Sequence, residues 1–337
     1  SPSFTKHFLN AHPNEIAQMI VKLREFDKAD STFIDSIMRH EHKGRIHTEF
    51  HQLRKDGGGT VTGRFSSSNP NLQQFPARDP DIKKAIRGLF LPEEGDKWGS
   101  FDYSSQEPRL LVHFASSLPD SMKHSVVDTI VDEYNNGDVD LHQMAADLAG
   151  ISRKEAKVVN LGIMYGMGVG KLSNQLDISK DEAKDILELY NDKVPFVKQI
   201  ATIASQRATT EGQIRTILGR RCRFHLWEPR TFGYNKAMPL AEAEKEYGGL
   251  GMLRRAFTYK ALNKLIQGSA ADQTKKAMVD CYAENFTPML TVHDELCFSV
   301  QNEEQAKRIT EIMETGLPLN VPTRVDCEMG DNWGEAG

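Results

Sequence analysis

Apolar positions recur along the chain at two spacings, which predict helices and strands in turn. In residues 1–40 they recur every three or four positions, as one face of a helix does. That apolar stripe consists of Ile16, Met19, Ile20, Leu23 and Phe26. Helices are also predicted at 254–284 and 303–315, whereas residues 45–52 alternate like a strand and residues 212–224 like a hairpin.

Local signals mark where other helices begin. Ser152 with Glu155, and Ser179 with Glu182, have the spacing of a capping box, in which two side chains satisfy the first free amides. Pro108 is predicted at the first helical position, where its missing N–H costs nothing. Two further helices are therefore expected in the middle of the chain, and one after residue 107.

Three apolar segments predict strands that are distant in sequence. One ends at 99–102, one is the final segment 324–329, and the stretch LTVHDELCF at 290–298 predicts a hairpin. Helices separate these strands, so we expect an α+β fold with a small antiparallel sheet. The hairpin has acidic residues at its tip, and a buried carboxylate requires a partner, a metal or a proton.

Composition indicates a soluble globular protein of two or three subdomains. The 337 residues are 26 % charged with a mean hydropathy of -0.50, and no apolar run approaches the roughly 18 residues of a membrane helix. The four cysteines are scattered, which favours reduced, buried thiols over zinc or disulfides. The start lacks a signal peptide and an initiator Met, which indicates a fragment or processed chain, and we expect a cytoplasmic location.

The net charge of -5 argues against a nucleic-acid binder, but basic residues gather locally. The first group contains Arg64, Arg78, Lys83, Lys84 and Arg87. The second contains Arg215, Arg220, Arg221 and Arg223, and the third contains Arg254, Arg255, Lys260 and Lys264. Each group alone is an ordinary solvated face, while three groups near polar loops favour a phosphate-rich partner.

Two aspartates at predicted strand ends are candidate metal ligands. Asp102 ends a strand just before a helix, and Asp294 lies at the hairpin tip. One or two carboxylates plus substrate phosphates are the usual ligands of Mg²⁺, and a pair of such ions supports phosphoryl transfer. The alternative is that each is an ordinary turn aspartate.

The helix that follows Ser152 has a face suited to a triphosphate. Arg153, Lys157, Leu161 and Tyr165 recur at every fourth position, so they share one broad face. The two cations lie near the helix N-terminus, which itself favours anions. A nucleotide could place its phosphates on the cations and its base near Leu161 and Tyr165. The alternative is an amphipathic helix with a charged first turn.

Four motifs in order resemble those of the family A, or Pol I-like, DNA polymerases. They are TGRFSSSNPNLQQFP, FDYSSQEPRLLVHFA, RKEAKVVNLGIMYG and TVHDELCF, and the resemblance extends from about residue 30 to the C-terminus. It implies a right-hand fold with a small antiparallel palm sheet, helical fingers and a truncated helical thumb. The implied boundaries are 1–25 for a thumb remnant, 26–108 and 253–337 for the palm, and 109–252 for the fingers.

The resemblance implies template-directed addition of dNTPs to a primer 3′-hydroxyl, in DNA replication or repair. Asp102 and Asp294 would hold two Mg²⁺ ions with the backbone carbonyl of Tyr103, and Lys157 would protonate the leaving pyrophosphate. The residues implied to contact the dNTP are Arg153, Lys157, His142, Glu107, Leu161 and Tyr165. Those implied to contact the primer-template are Arg64, Arg87, Asn263, Gln267 and His293. Glu107 would exclude a 2′-hydroxyl, and Glu295 would assist Asp294 or tune the field.

The sequence departs from the family pattern at a few positions. Leu161 occupies a position where many relatives have an aromatic residue, which favours a phage-like relative, and Tyr259 stands where cellular relatives often have Arg. Two other functions stay open: a nucleic-acid binder that has lost activity, and a two-metal nuclease or phosphohydrolase. A pure binder needs none of Asp102, Asp294 and the cationic helix face, and a nuclease does not need that face.

Overall fold

A computed structural model describes residues 4–53, 60–77, 79–137, 139–164, 167–231 and 236–336. The α-helices found there are α1 (Lys6–Ala11), α2 (Glu15–Lys28), α3 (Asp35–His40), α4 (Pro80–Arg87), α5 (Gln106–Ser116), α6 (Val126–Asn136), α7 (Leu141–Ala149), α8 (Arg153–Met164), α9 (Val169–Leu176), α10 (Lys180–Lys193), α11 (Pro195–Thr210), α12 (Leu240–Tyr247), α13 (Ala261–Ala283) and α14 (Glu303–Thr315). A π-helix spans Ala29–Ile34, and 3₁₀-helices span Leu72–Gln74, Leu250–Met252 and Thr258–Lys260.

The strands of the described residues are β1 (Glu41–His42), β2 (Arg45–Ile46), β3 (Glu49–His51), β4 (Ser66–Ser68), β5 (Lys97–Tyr103), β6 (Gln213–Arg215), β7 (Arg221–Arg223), β8 (Leu226–Pro229), β9 (Met238–Pro239), β10 (Leu253–Arg255), β11 (Leu290–Val292), β12 (Glu295–Val300) and β13 (Val325–Gly330). The largest sheet has the order β11-β12-β5-β13 and is antiparallel throughout. The α+β class and the small antiparallel sheet built from distant segments are thus confirmed.

This central sheet is covered on both faces because its side chains alternate. Phe101 and Tyr103 of β5 face a core formed with α13 and α14, which includes Phe298 and Met313. Trp98, on the other face of β5, packs into a core with the Leu72–Gln74 turn, α4 and Trp333. Both faces of the sheet are therefore packed against other elements, whereas Asp102, near the C-terminal end of β5, is exposed to solvent.

A second, larger core joins the helices between α5 and α11 to α13. Its fully buried side chains include Leu110, Leu111, Tyr134, Tyr190 and Phe196. Since α13 contributes to this core and also covers the central sheet, it connects the helical part to the sheet. α13 accordingly buries residues on all sides, and these include polar side chains such as Asp272 and Gln273 as well as apolar ones such as Ile266.

Most predicted elements are observed, with shifts at their ends. Both predicted capping boxes form, the hairpins at 213–223 and 290–300 form, and α14 has the predicted bounds. The helix predicted from 254 instead begins at 261, because residues 253–255 pair with β8. There Arg255 stacks on Trp227, with the guanidinium carbon 4.6 Å from the ring centroid. The helix expected to start at Pro108 starts at Gln106.

The N-terminal helices form as predicted, but their apolar stripe is not buried. Ile16, Met19, Leu23 and Phe26 of α2 are between 55 and 69 % exposed, whereas Ala17 and Val21 are buried. Helical periodicity predicts that a face is apolar but does not say what covers it.

Arg220, counted above in a basic group for phosphate, instead joins three segments of the fold. Its Nε donates to Asp272 Oδ1 of α13 at 2.9 Å, and its Nη2 donates to the carbonyls of Thr62 and Gly268, each at 2.8 Å. A Cβ on Gly268 would lie 2.6 Å from Thr216 Cγ2, so only glycine allows the β6–β7 hairpin this close to α13. The loop before β4 is thereby fixed to the helix that connects both cores.

Replacement of Arg220 by methionine is expected to lower the free energy of unfolding by about 2–4 kcal/mol, because it leaves the buried Asp272 carboxylate without its cation. Urea unfolding measures this loss. Arg221→Met, which removes an exposed cation from the adjacent position, is the control and should change stability by less than about 0.5 kcal/mol. Adding Asp272→Asn to Arg220→Met should recover part of the loss. Equal losses from Arg220→Met and Arg221→Met would contradict the structural role of Arg220.

Candidate active site

The register of the central sheet gathers carboxylates at one end of β5. Asp102 is directly opposite Glu295 of β12 on one side and Asp326 of β13 on the other. Directly opposite residues in antiparallel strands point to the same face, with Cβ atoms about 4.5–5.5 Å apart. Three acidic side chains therefore share one face of the sheet. Like charges placed this way destabilise a sheet unless something neutralises them.

A fourth carboxylate is carried by the turn next to them. β11 ends at Val292 and β12 begins at Glu295, so His293 and Asp294 form a two-residue turn. His293 has a φ of 58°, a left-handed conformation that is uncommon for residues other than glycine. The buried side chains of Leu290 and Val292 fix the strand that leads into the turn. This answers why an apolar hairpin has an acidic tip: the strands hold Asp294 beside the end of β5.

The chain also bends sharply on the other side of Asp102. Ser105 has a φ of 52° and is the residue before α5, and the amide of Ser104 donates to the Arg324 carbonyl at 2.9 Å. The Tyr103 side chain is buried beneath the sheet, where its hydroxyl donates to the Met313 carbonyl at 3.1 Å. Left-handed residues outside glycine cost about 1 kcal/mol or more and persist where the surrounding structure holds them. The backbone at Asp102 and Tyr103 is therefore held in place from both sides.

The electrostatics of this cluster favour a cation. Solvent reaches Asp102, yet desolvation by the surrounding protein, followed by repulsion from Asp294, Glu295 and Asp326, raises its pKa from 3.8 to about 7. A bound cation would relieve the repulsion that raises this pKa. Carboxylate and carbonyl oxygens are the ligands that Mg²⁺ prefers, so the residues present fit that ion.

Within the described residues, no three His, Cys, Asp or Glu side chains are placed so that they could hold a metal ion by themselves. Mg²⁺ is commonly held by one or two carboxylates, with waters and substrate phosphates completing the octahedron. Asp102, Asp294 and the backbone carbonyl of Tyr103 stay the predicted ligands.

The raised pKa of Asp102 predicts how stability depends on pH without metal. A carboxyl whose folded-state pKa is raised stabilises the fold at low pH, and this contribution is lost as pH rises from 3.8 through about 7. Asp102→Asn does not titrate, so its melting temperature should exceed that of the wild type increasingly over this interval. Thermal melts with a chelator across the pH range measure this. A difference that stays constant with pH would contradict the repulsion at Asp102.

The Glu295 side chain is held by a hydrogen bond from Cys297, two residues further along β12. Burial raises the pKa of the Cys297 thiol well above its ordinary value, so this thiol stays protonated and donates to Glu295 Oε1 at 3.2 Å. Arg87 lies close enough that Glu295 opposes the lowering of the Arg87 pKa by burial. The Glu295 side chain is therefore held in place beside Asp102.

Arg87, predicted from sequence to contact primer or template, is buried in this structure. It is only 6 % exposed, its Nε and Nη2 donate to the carbonyls of Pro76 and Phe75, and its guanidinium carbon is 4.3 Å from the centroid of the Trp333 ring. A buried cation with these partners stabilises the fold, and its contact with primer or template stays a prediction.

The cationic face of α8 forms as predicted, but one of its cations has a partner. Lys157 is exposed, one turn after Arg153. Arg153 donates to Asp140 Oδ2 from Nε at 2.7 Å, and its Nη2 lies 2.6 Å from the same oxygen. The other oxygen of Asp140 caps α7 by accepting from the amides of His142 and Gln143. A triphosphate would thus compete with Asp140 for Arg153, whereas no salt bridge is found for Lys157 among the described residues.

His142 lies beside these cations, oriented by residues that the sequence analysis did not identify. Its Nδ1 is 2.9 Å from Nδ2 of Asn160, and Oδ1 of Asn160 accepts from the Tyr190 hydroxyl. Burial, followed by the charges of Lys157 and Arg153, lowers the pKa of His142 against the opposing effect of Asp140. The signal in the sequence was a single polar residue, Asn160, within the apolar stretch VVNLG.

The remaining nucleotide residues are only partly described. Leu161 is half-buried on α8 and packs against the helical core. Tyr165, predicted beside the templating base, lies outside the described residues. Leu161 is thus placed one turn beyond Lys157, and its contact with a sugar or base stays a prediction.

Two residues predicted for different ligands meet in this structure. Arg64, predicted at the primer end, donates from Nη2 to Glu107 Oε1 at 2.7 Å, and both side chains are largely buried. Glu107 is the second residue of α5. The Arg64 backbone is fixed because its carbonyl accepts from the Thr60 hydroxyl at 2.7 Å. Glu107, which was predicted to exclude a 2′-hydroxyl, is therefore held by Arg64, which was predicted to contact the primer.

Replacement of Glu107 by alanine is expected to raise the use of ribonucleotides relative to deoxyribonucleotides by about 10–100-fold, because it removes both bulk and charge. Glu107→Gln keeps the bulk and should raise the ratio less. The measurement is kcat/KM for a matched rNTP and dNTP on one primer-template. An unchanged ratio for Glu107→Ala would remove Glu107 from sugar selection.

The other residues predicted to contact primer and template lie on α13 and in the turn before Asp294. Asn263 and Gln267 are one turn apart near the start of α13 and are both half-buried. His293 is exposed in the turn before Asp294. Their contacts with DNA stay predictions. In the basic groups, Arg254 pairs with Glu228, and the Lys264 ammonium lies 4.1 Å from the centroid of the Phe224 ring.

Comparison with known proteins decides the family. The sequence profile described as DNA polymerase family A matches residues 3–335. The chain belongs to DNA polymerase family A. A DNA-directed DNA polymerase of Pseudomonas phage M6 is 36 % identical over 380 residues, which cover 99 % of this chain and 54 % of that protein. The thermostable DNA polymerase I of Thermus filiformis is 34 % identical over 346 residues, covering 97 % of this chain and 37 % of that protein.

A solved structure supports the same family A fold. The POL domain of Pol1 from M. smegmatis, in complex with DNA primer-template and dNTP, matches with a TM-score of 0.75 and 29 % identity, over 95 % of this chain and 53 % of that one. The right-hand polymerase fold and the phage-like character predicted from the motifs are thereby confirmed. The chain spans about half the length of the phage relative. None of the described helices is both long and apolar enough to cross a membrane.

Proposed function

We propose that this chain is the catalytic part of a template-directed DNA polymerase, which adds dNTPs to a primer 3′-hydroxyl during DNA replication or repair. The observation that carries the proposal is the sheet register, because it sets Asp102 opposite Glu295 and beside the turn that holds Asp294. Membership of family A and the likeness to a domain solved with primer-template and dNTP support it. The phage and bacterial relatives support a bacterial cytoplasm, including that of an infected host, as its location.

Each group has a role in this proposal. Two Mg²⁺ ions, held by Asp102, Asp294 and the carbonyl of Tyr103, would activate the attacking oxygen and stabilise the leaving one. Lys157 and Arg153 bind the phosphates of the dNTP, and Lys157 gives a proton to the leaving pyrophosphate. Lys157 is exposed, whereas Arg153 forms an ion pair with Asp140, which supports assigning the proton transfer to Lys157 alone.

The groups around the sugar and primer position the two substrates. Glu107 lies beneath the sugar, and Arg64 orients it through their ion pair. Asn263 and Gln267 contact the minor groove near the primer end, and His293 contacts the primer backbone. These roles follow from the family motifs.

We also propose the domain boundaries implied by the motifs. Residues 26–108 and 253–337 form the palm, which includes every strand of the central sheet. Residues 109–252 form the fingers, which include α8. Residues 1–25 belong to the thumb.

The test is release of pyrophosphate from one dNTP at a time on a matched primer-template with Mg²⁺. Release is expected only for the dNTP complementary to the templating base, together with extension of the primer by one nucleotide. Release with any dNTP, or without a template, would indicate a phosphohydrolase. Shortening of the primer would indicate a nuclease, and DNA binding without release would indicate an inactive binder.

A further inference from the structure

We propose that Asn160, held by Tyr190, is a positioning residue that fixes His142 as the neutral tautomer with its proton on Nε2. His142 then gives the triphosphate a hydrogen bond rather than a charge. The inference rests on the proposed function for its ligand, and it adds two residues to the machinery that recognises the nucleotide.

The orientation of the Asn160 amide follows from Tyr190. Tyr190 is fully buried, and its hydroxyl donates to Asn160 Oδ1. With the amide reversed, this buried hydroxyl proton would have no acceptor among the described residues, which is costly. Oδ1 therefore faces Tyr190, and the Nδ2 amino group faces His142.

The orientation of the amide determines the tautomer of His142. Nδ2 of Asn160 can only donate, so Nδ1 of His142, 2.9 Å away, must accept and carry no proton. The proton of the neutral ring is then on Nε2. Within the described part of the chain, no hydrogen-bond partner is found for this nitrogen. His142 thus presents a donor from beside Arg153 and Lys157.

Burial and two nearby cations favour the neutral form of the ring. The charged or titratable groups that face His142 are Asp140 at the start of its own helix, Arg153 and Lys157 on α8, and Tyr190 on α10. Burial and the two cations lower the pKa of His142, and Asp140 only partly opposes them. A neutral donor beside two cations completes a phosphate site without adding a third charge that would repel the others.

The Asn160→Asp variant distinguishes a role of Asn160 in positioning His142 from a role in packing alone. The new carboxylate keeps the size of the side chain but can only accept, so it favours a proton on Nδ1 and raises the pKa of His142. At low pH the ring is doubly protonated and still donates from Nε2. As pH rises through the raised pKa, the ring keeps its proton on Nδ1, loses the one on Nε2 and can no longer donate to a phosphate.

The experiment measures the KM of the complementary dNTP from about pH 5.5 to 8.5, an interval that brackets the ordinary histidine pKa. The wild type should show no step attributable to His142, whereas in Asn160→Asp the KM should rise about tenfold as pH increases, the effect of one hydrogen bond to a charged group. Asn174→Asp adds the same charge at an exposed position of α9 and should show no step. Asn160→Asp combined with His142→Gln should also lose the step.

A second measurement does not depend on activity. In ¹⁵N-histidine-labelled protein, the resonances that disappear in His142→Gln identify this ring, and their chemical shifts report which nitrogen carries the proton. A proton on Nε2 in the wild type and on Nδ1 in Asn160→Asp is expected. A wild-type proton on Nδ1, or an Asn160→Asp variant whose KM does not change with pH, would overturn the inference. Absence of primer extension by the wild type with the expected tautomer would count against the proposed function alone.

Discussion

Replacement of Asp294 or Asp102 by asparagine is expected to reduce primer extension by about a thousandfold or more. A metal ligand acts on charge that develops at the reacting phosphate, an effect of several kcal/mol, and each 1.36 kcal/mol is tenfold in rate. Affinity for primer-template should stay within about threefold of the wild type, because that affinity comes from many separate contacts. Single-turnover extension and a DNA-binding titration measure the two quantities.

The sheet offers a matched control for this experiment. Asp326 is opposite Asp102 on β13, just as Glu295 is opposite it on β12. Asp326→Asn removes the same charge from the same face and should reduce extension by less than about fivefold, because Asp326 only adds to the field at Asp102. Both Asp102→Asn and Asp326→Asn should retain full stability, since each removes a repulsion. Extension by Asp102→Asn or Asp294→Asn within tenfold of the wild type would exclude the two-metal assignment.

The acidic tip of the hairpin could be predicted because its signals are local. Apolar residues flank Asp294 on both sides within ten positions, and a turn between two such strands must be exposed at the sheet edge. The capping box at Ser152 and the cationic turn after it are local in the same sense. The sequence pattern is sufficient to predict the structure where a few neighbouring residues determine the conformation.

The ion pairs of the site could not be predicted, because they join residues that only the fold brings together. Arg64 and Glu107 are 43 positions apart, and Arg153 and Asp140 are 13 apart. In sequence a basic residue looks the same whether it faces DNA or is buried, as Arg87 shows. The resemblance to family A assigned these residues to ligands, but only the structure shows that they contact one another.

The exposed apolar face of α2 illustrates a different limit of prediction from sequence. The pattern correctly predicted a helix with an apolar face, yet Ile16 and Met19 on that face are exposed. Burial depends on whether another element covers the face, and periodicity carries no information about the partner. Sequence therefore predicts which side of such a helix is apolar, and structure is needed to show whether that side is covered.

Lys157→Arg is expected to lower the rate of nucleotide addition at saturating dNTP by about 10²–10⁴-fold while it changes the KM of the dNTP by less than about threefold. Arginine keeps the positive charge on the phosphates, but a guanidinium is not deprotonated in proteins and cannot supply the proton that pyrophosphate needs. Lys157→Ala removes both charge and proton, so it should lower the rate as much and also raise the KM. Rapid-quench measurement of single-nucleotide addition over a dNTP series gives both quantities.

A lysine on another helix supplies a control for this separation. Lys180 is exposed in the first turn of α10, so Lys180→Ala removes a surface charge and should leave rate and KM within about twofold of the wild type. Arg153→Ala should raise the KM more than it lowers the rate, because Arg153 binds phosphate and donates no proton. Asp140→Asn loosens the partner of Arg153 and should lower the KM if the triphosphate competes for that guanidinium. A Lys157→Arg enzyme with the wild-type rate would show that Lys157 acts through its charge alone, and the proton would then have to come from solvent.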